Sequence, residues 1–488
     1  MDDESIKTLQ RSIGITPSER YLQRLCERSF LRLWSYPGIY RDQSSGGGRA
    51  GGKELCDLLV LFDNHVLIFS DKDCKFPDTG NPKLDWNRWV KRAILKSADQ
   101  LYGAERWIMN HPDRLFLDRN CKIPFPFPIP NVCDIKIHRL LIAHGVSTEC
   151  RKYWGGSGSM MIVPEVIGER HLISENEKGF LFAVGQINAQ KGFVHILDDT
   201  TVNILLNYLD TITDFVRYLE KKEKFIKSSR LIAAAGEEEL LGYYLKNLND
   251  GGEHDFIIDS HFDAISIDEG IWEDFLLSPQ RKAQFEANII SYSWDKLIEL
   301  FSTHAIQRTQ YFPTNDPIAD TEKVLRFMAR EPRTRRRMLS KSIYELLHKY
   351  GENYKAVRVS VPQEPGEPYY VFLLFPNLGN VPEHEYREVR RMLLSDYCMV
   401  VKLKFPGALD IIGFATESGL GEYRSEDACY FDMRDWNTEM EEEAKRLHEE
   451  YGLLAEMSII HMHEDEFPIP RQPMKKRHRH KSRHNELS

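Results

Sequence analysis

Between Leu55 and Asp73 the chain carries the apolar run Leu58-Leu59-Val60-Leu61-Phe62, then Asp63-Asn64, then a second run, Val66-Leu67-Ile68-Phe69. Both runs have strand length and the Asp-Asn pair supplies turn chemistry, so the stretch predicts a β-hairpin. A strand with one face in water alternates apolar and polar residues; neither run does. The sheet that holds them must therefore be covered on both faces. That requirement excludes an open single-layer sheet and calls for helices on either side.

Candidates for those helices flank the hairpin. Thr16-Pro17-Ser18-Glu19 is a helix start in which a Thr N-cap, Pro at the first position and Glu at the third satisfy the free backbone amides. Tyr21, Leu22, Leu25, Ser29, Phe30 and Leu33 recur at helical spacing, which predicts a helix to about Trp34, ended by Tyr36-Pro37-Gly38. A glycine loop, Ser44 to Gly48, precedes the hairpin. After it, a helix capped by Asp85 carries the stripe Trp86, Trp89, Val90, Ala93, Ile94, Leu101 and Ile108. Beyond the proline-rich Pro124–Pro130, Ile135 to Val146 reads as another strand. Helix, hairpin, helix, strand is a compact α/β order.

The chain has 488 residues, too many for one ordinary core. Residues 1–200 form the α/β unit, and Phe180 to Ile196 is strand-like. Residues 201–350 read as a helical middle region, opened by one long amphipathic helix through Leu205, Leu209, Ile212, Val216 and Leu219. Residues 351–466 read as a small α+β domain: strands at Val357–Val361, Tyr369–Phe375, Met399–Phe405 and Asp410–Ala415, and helices at Glu383–Leu394 and Asn437–Glu450. Residues 467–488 form a basic, histidine-rich tail of disordered composition.

With 42% hydrophobic and 28% charged residues the composition is that of a globular protein. No apolar run approaches the roughly 20 residues of a spanning helix. The acidic start Met1-Asp2-Asp3-Glu4 is unlike a signal peptide, so a cytoplasmic protein without a membrane partner is expected. Eight cysteines, none in a C-x-x-C pair, read as reduced thiols.

Hydrolysis of a phosphodiester at neutral pH needs carboxylates to hold a dication, a metal-bound water, and often a lysine to stabilise developing charge. The hairpin offers such groups where its strands meet: Gly52-Lys53-Glu54-Leu55-Cys56-Asp57 enters the first strand and Ser70-Asp71-Lys72-Asp73 ends the second. This arrangement resembles the PD-(D/E)XK, or restriction-endonuclease-like, nuclease superfamily over about residues 16–146. The likeness consists of an Asp entering one strand, an apolar hairpin, an acid-x-Lys triplet on the next strand, an acid from the preceding helix, and a Gln-bearing helix afterwards.

The resemblance implies a nuclease-like α/β domain, with a mixed sheet flanked by helices, and a metal-dependent endonuclease acting on DNA with Mg²⁺ or Mn²⁺. It implies catalytic roles for Asp57, Asp71, Lys72, Glu27 and Gln100, and metal ligation by Asp57, Asp71 and Asp73. Glu19 competes with Glu27 for the helix acid, but already serves the capping box. The family spacing from Asp57 reaches Ser70-x-Lys72, which puts a serine where the second carboxylate belongs; Asp73-x-Lys75 matches the triplet in a later register. Use of Asp71 would require a bulge near Ser70 to turn it toward Asp57. Many relatives act in defence against foreign DNA, including antiviral defence, or in repair. Alternatives of another class are a nucleic-acid-binding module with a degenerate nuclease site, and a scaffold within a homo-oligomer or with a defence-system partner protein.

Arg333, Arg335, Arg336 and Arg337 belong to a basic segment, Lys323 to Lys341, that reads either as a phosphate-tracking surface or as a solvated helix face. The basic tail Lys475–His484 reads either as non-specific attraction for nucleic acid or as a solubilising end. His254, Asp255, Asp259, His261 and Asp263 have weak metal-ligand spacing, and His138 and His144 read as core or rim histidines. Gly155-Gly156-Ser157-Gly158-Ser159 lacks the Gly-Lys-Ser/Thr ending of a phosphate-binding loop and reads as a plain loop.

Overall fold

The hairpin forms as its apolar runs require, and it occupies the centre of the largest sheet. In the computed structural model, which describes residues 14–42, 51–131, 133–174, 179–312, 317–377, 379, 381–419 and 424–469, the first 200 residues contain eight strands among those described. They are β1 (Ser35–Arg41), β2 (Lys53–Phe62), β3 (His65–Lys72), β4 (Leu115–Phe116), β5 (Lys136–Ala143), β6 (Met161–Ile167), β7 (Ala183–Gln186) and β8 (Val194–Asp198). The glycine loop Ser44–Gly48 and the tail Lys475–His484 lie outside the described residues.

Six of these strands make one sheet in the order β4-β1-β2-β3-β5-β8. Neighbours among β4, β1, β2 and β3 pair antiparallel, whereas β5 and β8 join β3 in parallel, so the sheet is mixed. One face, with Leu58, Val60, Leu67, Phe69, Leu140 and Leu197, is covered by the helix Pro17–Phe30 and by the helices Thr201–Tyr208 and Ile212–Lys227. The other, with Leu59, Leu61, Val66, Ile68 and Leu141, is covered by the helical stretch Pro82–Asn110. Double coverage is what the missing alternation demanded.

The middle region is largely helical, but β9 (Leu231–Ala234) and β10 (Ile265–Ile267) join β6 and β7 in a second sheet, ordered β10-β9-β6-β7. A third sheet follows the chain: β11 (Ala356–Ser360), β12 (Tyr369–Phe375), β13 (Asp410–Glu417) and β14 (Glu426–Asp432), with only the central pair parallel. The protein is thus mixed α/β, with three mixed sheets among the described residues. A continuous apolar cluster runs from the first sheet through Phe215, Trp294, Leu325 and Leu339 to Tyr370, Phe372 and Phe414 of the third. Trp294 stands edge-on to those three aromatic rings. Helices of the middle region therefore fill the space between two sheet faces. No helix among the described residues is long and apolar enough to cross a membrane.

Several local expectations are corrected. The first helix ends at Phe30, where Leu31 turns to φ 68°, and Tyr36-Pro37-Gly38 lies inside β1. Pro is tolerated there because β4 pairs only with Tyr40 and Arg41, so no ladder bond to β4 is lost at Pro37. Asn81, not Asp85, caps the second helix, accepting from the Leu84 amide; Asp85 is buried and accepts from the Thr79 amide and hydroxyl. The long helix expected from Thr201 breaks after Tyr208, and Thr211 caps its continuation. Met399–Phe405, expected as a strand, lies mostly within the helix Glu383–Lys404, since a short apolar run does not distinguish a strand from a buried helical turn.

Candidate functional site

The Thr16 capping box forms: the Glu19 amide donates to the Thr16 hydroxyl at 3.1 Å, and the Thr16 amide to the Glu19 carboxylate at 3.2 Å. This fixes the start of the helix over the sheet. On the other side, the stretch Pro82–Asn110 is continuous, but Val90–Leu95 forms a π-turn in which the Lys96 amide bonds back to Lys91. One extra residue in a turn rotates everything after it by about 100° relative to a regular helix. The re-phased segment brings Lys96, Asp99 and Gln100 over the ends of β2 and β3.

There they line a cavity of about 360 Å³ together with Arg41, Lys53, Glu54, Asp57 and Ser70. Pairing of β3 with β5 is regular from His65 to Lys72, so no bulge occurs at Ser70. With a period of two, Ser70 and Lys72 share the face of Asp57, and Asp71 faces the opposite side. The Lys72 ammonium forms no ion pair among the described residues. A bulge exists one strand away: the β1 partners step from Cys56 opposite Ile39 to Glu54 opposite Tyr40, skipping Leu55. Such an insertion re-aims a strand end, and Glu54 joins Asp57 in the same cavity.

Asp57 is largely buried, and burial is the main reason its carboxyl is pushed up to about 7. Its Oδ2 accepts the Asp71 amide at 2.6 Å, which favours the charged form, but negative charge on Glu54, Glu19 and Asp71 adds to the rise. Glu54 is raised for similar reasons, burial first and then Glu19. Mutually repelling carboxylates at a cavity edge form a donor set that a dication would relieve. Asp57, Glu54, the Ser70 hydroxyl and the Gln100 amide offer oxygen donors of the kind Mg²⁺ takes alongside retained waters.

Asp71 is engaged elsewhere. Its Oδ1 meets Nε2 of His144 at 2.5 Å, and Nδ1 of His144 lies 3.3 Å from Asp199. Burial alone would lower the His144 pKa, but hydrogen bonds and charge from Asp199 and Asp71 outweigh it and raise it to about 10. His144 is therefore the cation that neutralises Asp71. Asp73 is exposed just beyond β3. Glu27 bonds Gln23 and lines a different cavity with Arg32 and Asp295, whereas Glu19 is the helix acid whose charge is felt at Asp57. Of the sequence-derived set, the fold brings Asp57 and Gln100 together with Ser70 and puts Lys72 on their face; it directs Asp71 and Glu27 away.

Glu54, Asp99, Lys96 and Arg41 were not singled out from the sequence. Lys96 and Gln100 stand four apart, a spacing that puts two side chains on one helix face, and this signal was available. Nothing local pointed to the bulge that recruits Glu54.

The basic segment is also corrected. Arg333, Arg335, Arg336 and Arg337 are all buried, so they offer no open phosphate-tracking surface. Arg333 pairs with Asp210 at 3.0 Å and Asp295 at 2.8 Å; Arg336 pairs with Asp295 at 2.6 Å and Arg337 with Glu464 at 2.9 Å. Arg335 donates to the Val361 carbonyl. These cations hold the middle helices to each other and to the segment before the tail. Adjacent residues of one charge do not reveal the carboxylates that pair with Arg333 and Arg336, which lie 38 or more residues away. His254 to Asp263 does not form a metal-ligand group among the described residues.

No protein-family model, no curated protein and no solved structure matches the chain.

Proposed function

We propose that the protein is a metal-dependent phosphodiesterase of the PD-(D/E)XK-like kind, a nuclease cutting DNA with Mg²⁺ or Mn²⁺. The observation that carries this reading is the convergence of Asp57, Ser70 and Gln100 on one cavity at the open end of the hairpin, with Glu54 beside them. In this reading Asp57 and Glu54 hold the dication, whose chemistry is to polarise a phosphoryl oxygen and make a bound water nucleophilic. Gln100 would offer a hydrogen bond at the cavity, Lys72 would stabilise negative charge at the strand end, and Arg41, Lys53 and Lys96 would receive the phosphate backbone. A role in foreign-DNA defence or repair is part of the same proposal and rests on the resemblance of the hairpin alone.

The test is cleavage of plasmid, linear and single-stranded DNA and of RNA, with and without Mg²⁺ or Mn²⁺. Metal-dependent cutting that disappears in Asp57→Asn, with the fold intact by circular dichroism, supports the proposal; full activity in that variant removes the site. A second reading is favoured by Ser70 in place of a carboxylate and by the engagement of Asp71 with His144. It is a DNA-binding module with a lapsed centre, recognised by salt-sensitive DNA binding without cleavage.

A further inference from the structure

At the opposite end of β3 from the Asp57 cavity, and on the other face of the sheet, His65 and His138 face each other. His65 is the first residue after the Asp63-Asn64 turn; His138 lies on the neighbouring parallel strand β5, opposite Leu67. Their rings stack with centroids 5.2 Å apart, and Nδ1 of His65 lies 3.0 Å from Nε2 of His138. The helix Ile212–Lys227 packs over this face and brings Glu220 to the pair, so that one ligand atom from each residue lies within 4.8 Å of the other two. We infer that His65, His138 and Glu220 form a binding site for one borderline transition-metal dication of the Zn²⁺ class, with water completing its coordination.

The donor geometry fits. With zinc–nitrogen bonds of about 2.0–2.1 Å, two nitrogens in a tetrahedral shell stand about 3.3 Å apart, within a few tenths of an ångström of the separation here. Two imidazoles and a carboxylate suit Zn²⁺ and its neighbours and not Mg²⁺, which takes oxygen. Lys136 contacts Oε1 of Glu220 at 2.9 Å, leaving Oε2 available to the ion. Glu220 is 41% exposed and His138 only 6%, so the site has a closed imidazole floor and an entry from solvent on the carboxylate side. On the next strand, β8, His195 is also buried beside His138, and its Nδ1 has no hydrogen-bond partner among the described residues. A buried imidazole nitrogen without a partner is costly unless something binds it.

The site shares no residue with the Asp57 cavity, from which it is separated by roughly 15–20 Å along β3. It therefore stands or falls independently of the nuclease reading. Full-length protein stripped with a chelator is titrated with Co²⁺, followed by its visible d–d absorption, and with Zn²⁺ by calorimetry. The expected result is one equivalent bound, weakened at least about tenfold in both His65→Gln and Glu220→Gln, because loss of an outer-shell partner alone typically costs about 10–100-fold. Any second equivalent held at the Asp57 cavity is recognised by its loss in Asp57→Asn, whereas the equivalent that depends on Glu220 persists in that variant. Glu220→Gln changes a surface side chain, so it carries the test even where His65→Gln fails to fold. The histidine-rich tail is a competing ligand, and a His478→Gln/His480→Gln/His484→Gln triple variant separates it. Absence of binding, binding unaffected by Glu220→Gln, or binding abolished by the tail substitutions alone would each overturn the proposal.

Discussion

Replacing Arg336 with Met separates two accounts of the basic segment most sharply. If the arginine served a phosphate surface, its loss would change stability within about 0.5 kcal/mol and would lower the salt slope of DNA binding by about 1. In the fold it is 1% exposed and makes three charge-assisted hydrogen bonds: Nη1 to Asp295 at 2.6 Å, Nε to the Glu331 carbonyl at 2.8 Å and Nη2 to the Ala329 carbonyl at 2.7 Å. Met fills much of the volume but donates nothing, so two buried carbonyls lose a donor and Asp295 keeps only Arg333. Removing one partner of a buried ion pair costs about 3–5 kcal/mol, and the remaining Arg333 contact puts the expectation near the lower end, about 3 kcal/mol. Urea unfolding followed by circular dichroism measures the loss. Salt-titrated DNA binding, on protein still folded, should keep its slope. With Asp295→Asn as the second mutation, a double-mutant cycle should show coupling of about 0.5–3 kcal/mol. A loss under about 1 kcal/mol together with a shallower salt slope would refute the buried-network argument.

Three further outcomes are expected. Ser70→Glu adds a carboxylate on the face of Asp57 and should increase Mg²⁺ or Mn²⁺ affinity or cleavage; no change in either, measured by calorimetry and plasmid nicking, would count against a dication at that edge. His144→Ala leaves the Asp71 carboxylate buried without its cation and should destabilise the fold by about 3 kcal/mol or more in urea titration, whereas a change below about 1 kcal/mol would show that the pair is not needed. Burial pushes the Glu331 carboxyl up to about 7, against the pull of Arg335 and the hydroxyl of Tyr370. A carboxyl raised in the fold binds its proton more tightly there than in the unfolded chain. Its contribution is therefore full below about 4.5 and is lost as pH rises toward 7, by at most about 3 kcal/mol. Glu331→Gln should flatten that fall in stability measured between pH 4.5 and 7, and an unchanged profile would assign the slope to other groups.

By itself the sequence determined the elements whose chemistry is local. Thr16 and Glu19 are three residues apart, so the cap they make could be read directly. The runs on either side of Asp63-Asn64 lacked alternation, and both faces of that hairpin are indeed covered. Asp57 and Gln100 were legible as polar groups on otherwise apolar elements, and both line the same cavity. Tertiary structure decided everything that depends on a partner far along the chain. Whether Asp71 faces Asp57 was settled by the regular pairing of β3 with β5 and by His144, 73 residues later. The Leu55 bulge and the π-turn before Lys96 bring Glu54, Lys96 and Asp99 to the cavity, and no residue signature in the chain marked either. Arg333 to Arg337 looked basic because adjacent residues carry one sign of charge. Arg333, Arg336 and Arg337 are buried with counter-charges from Asp210, Asp295 and Glu464, and only folding brings those charges within reach.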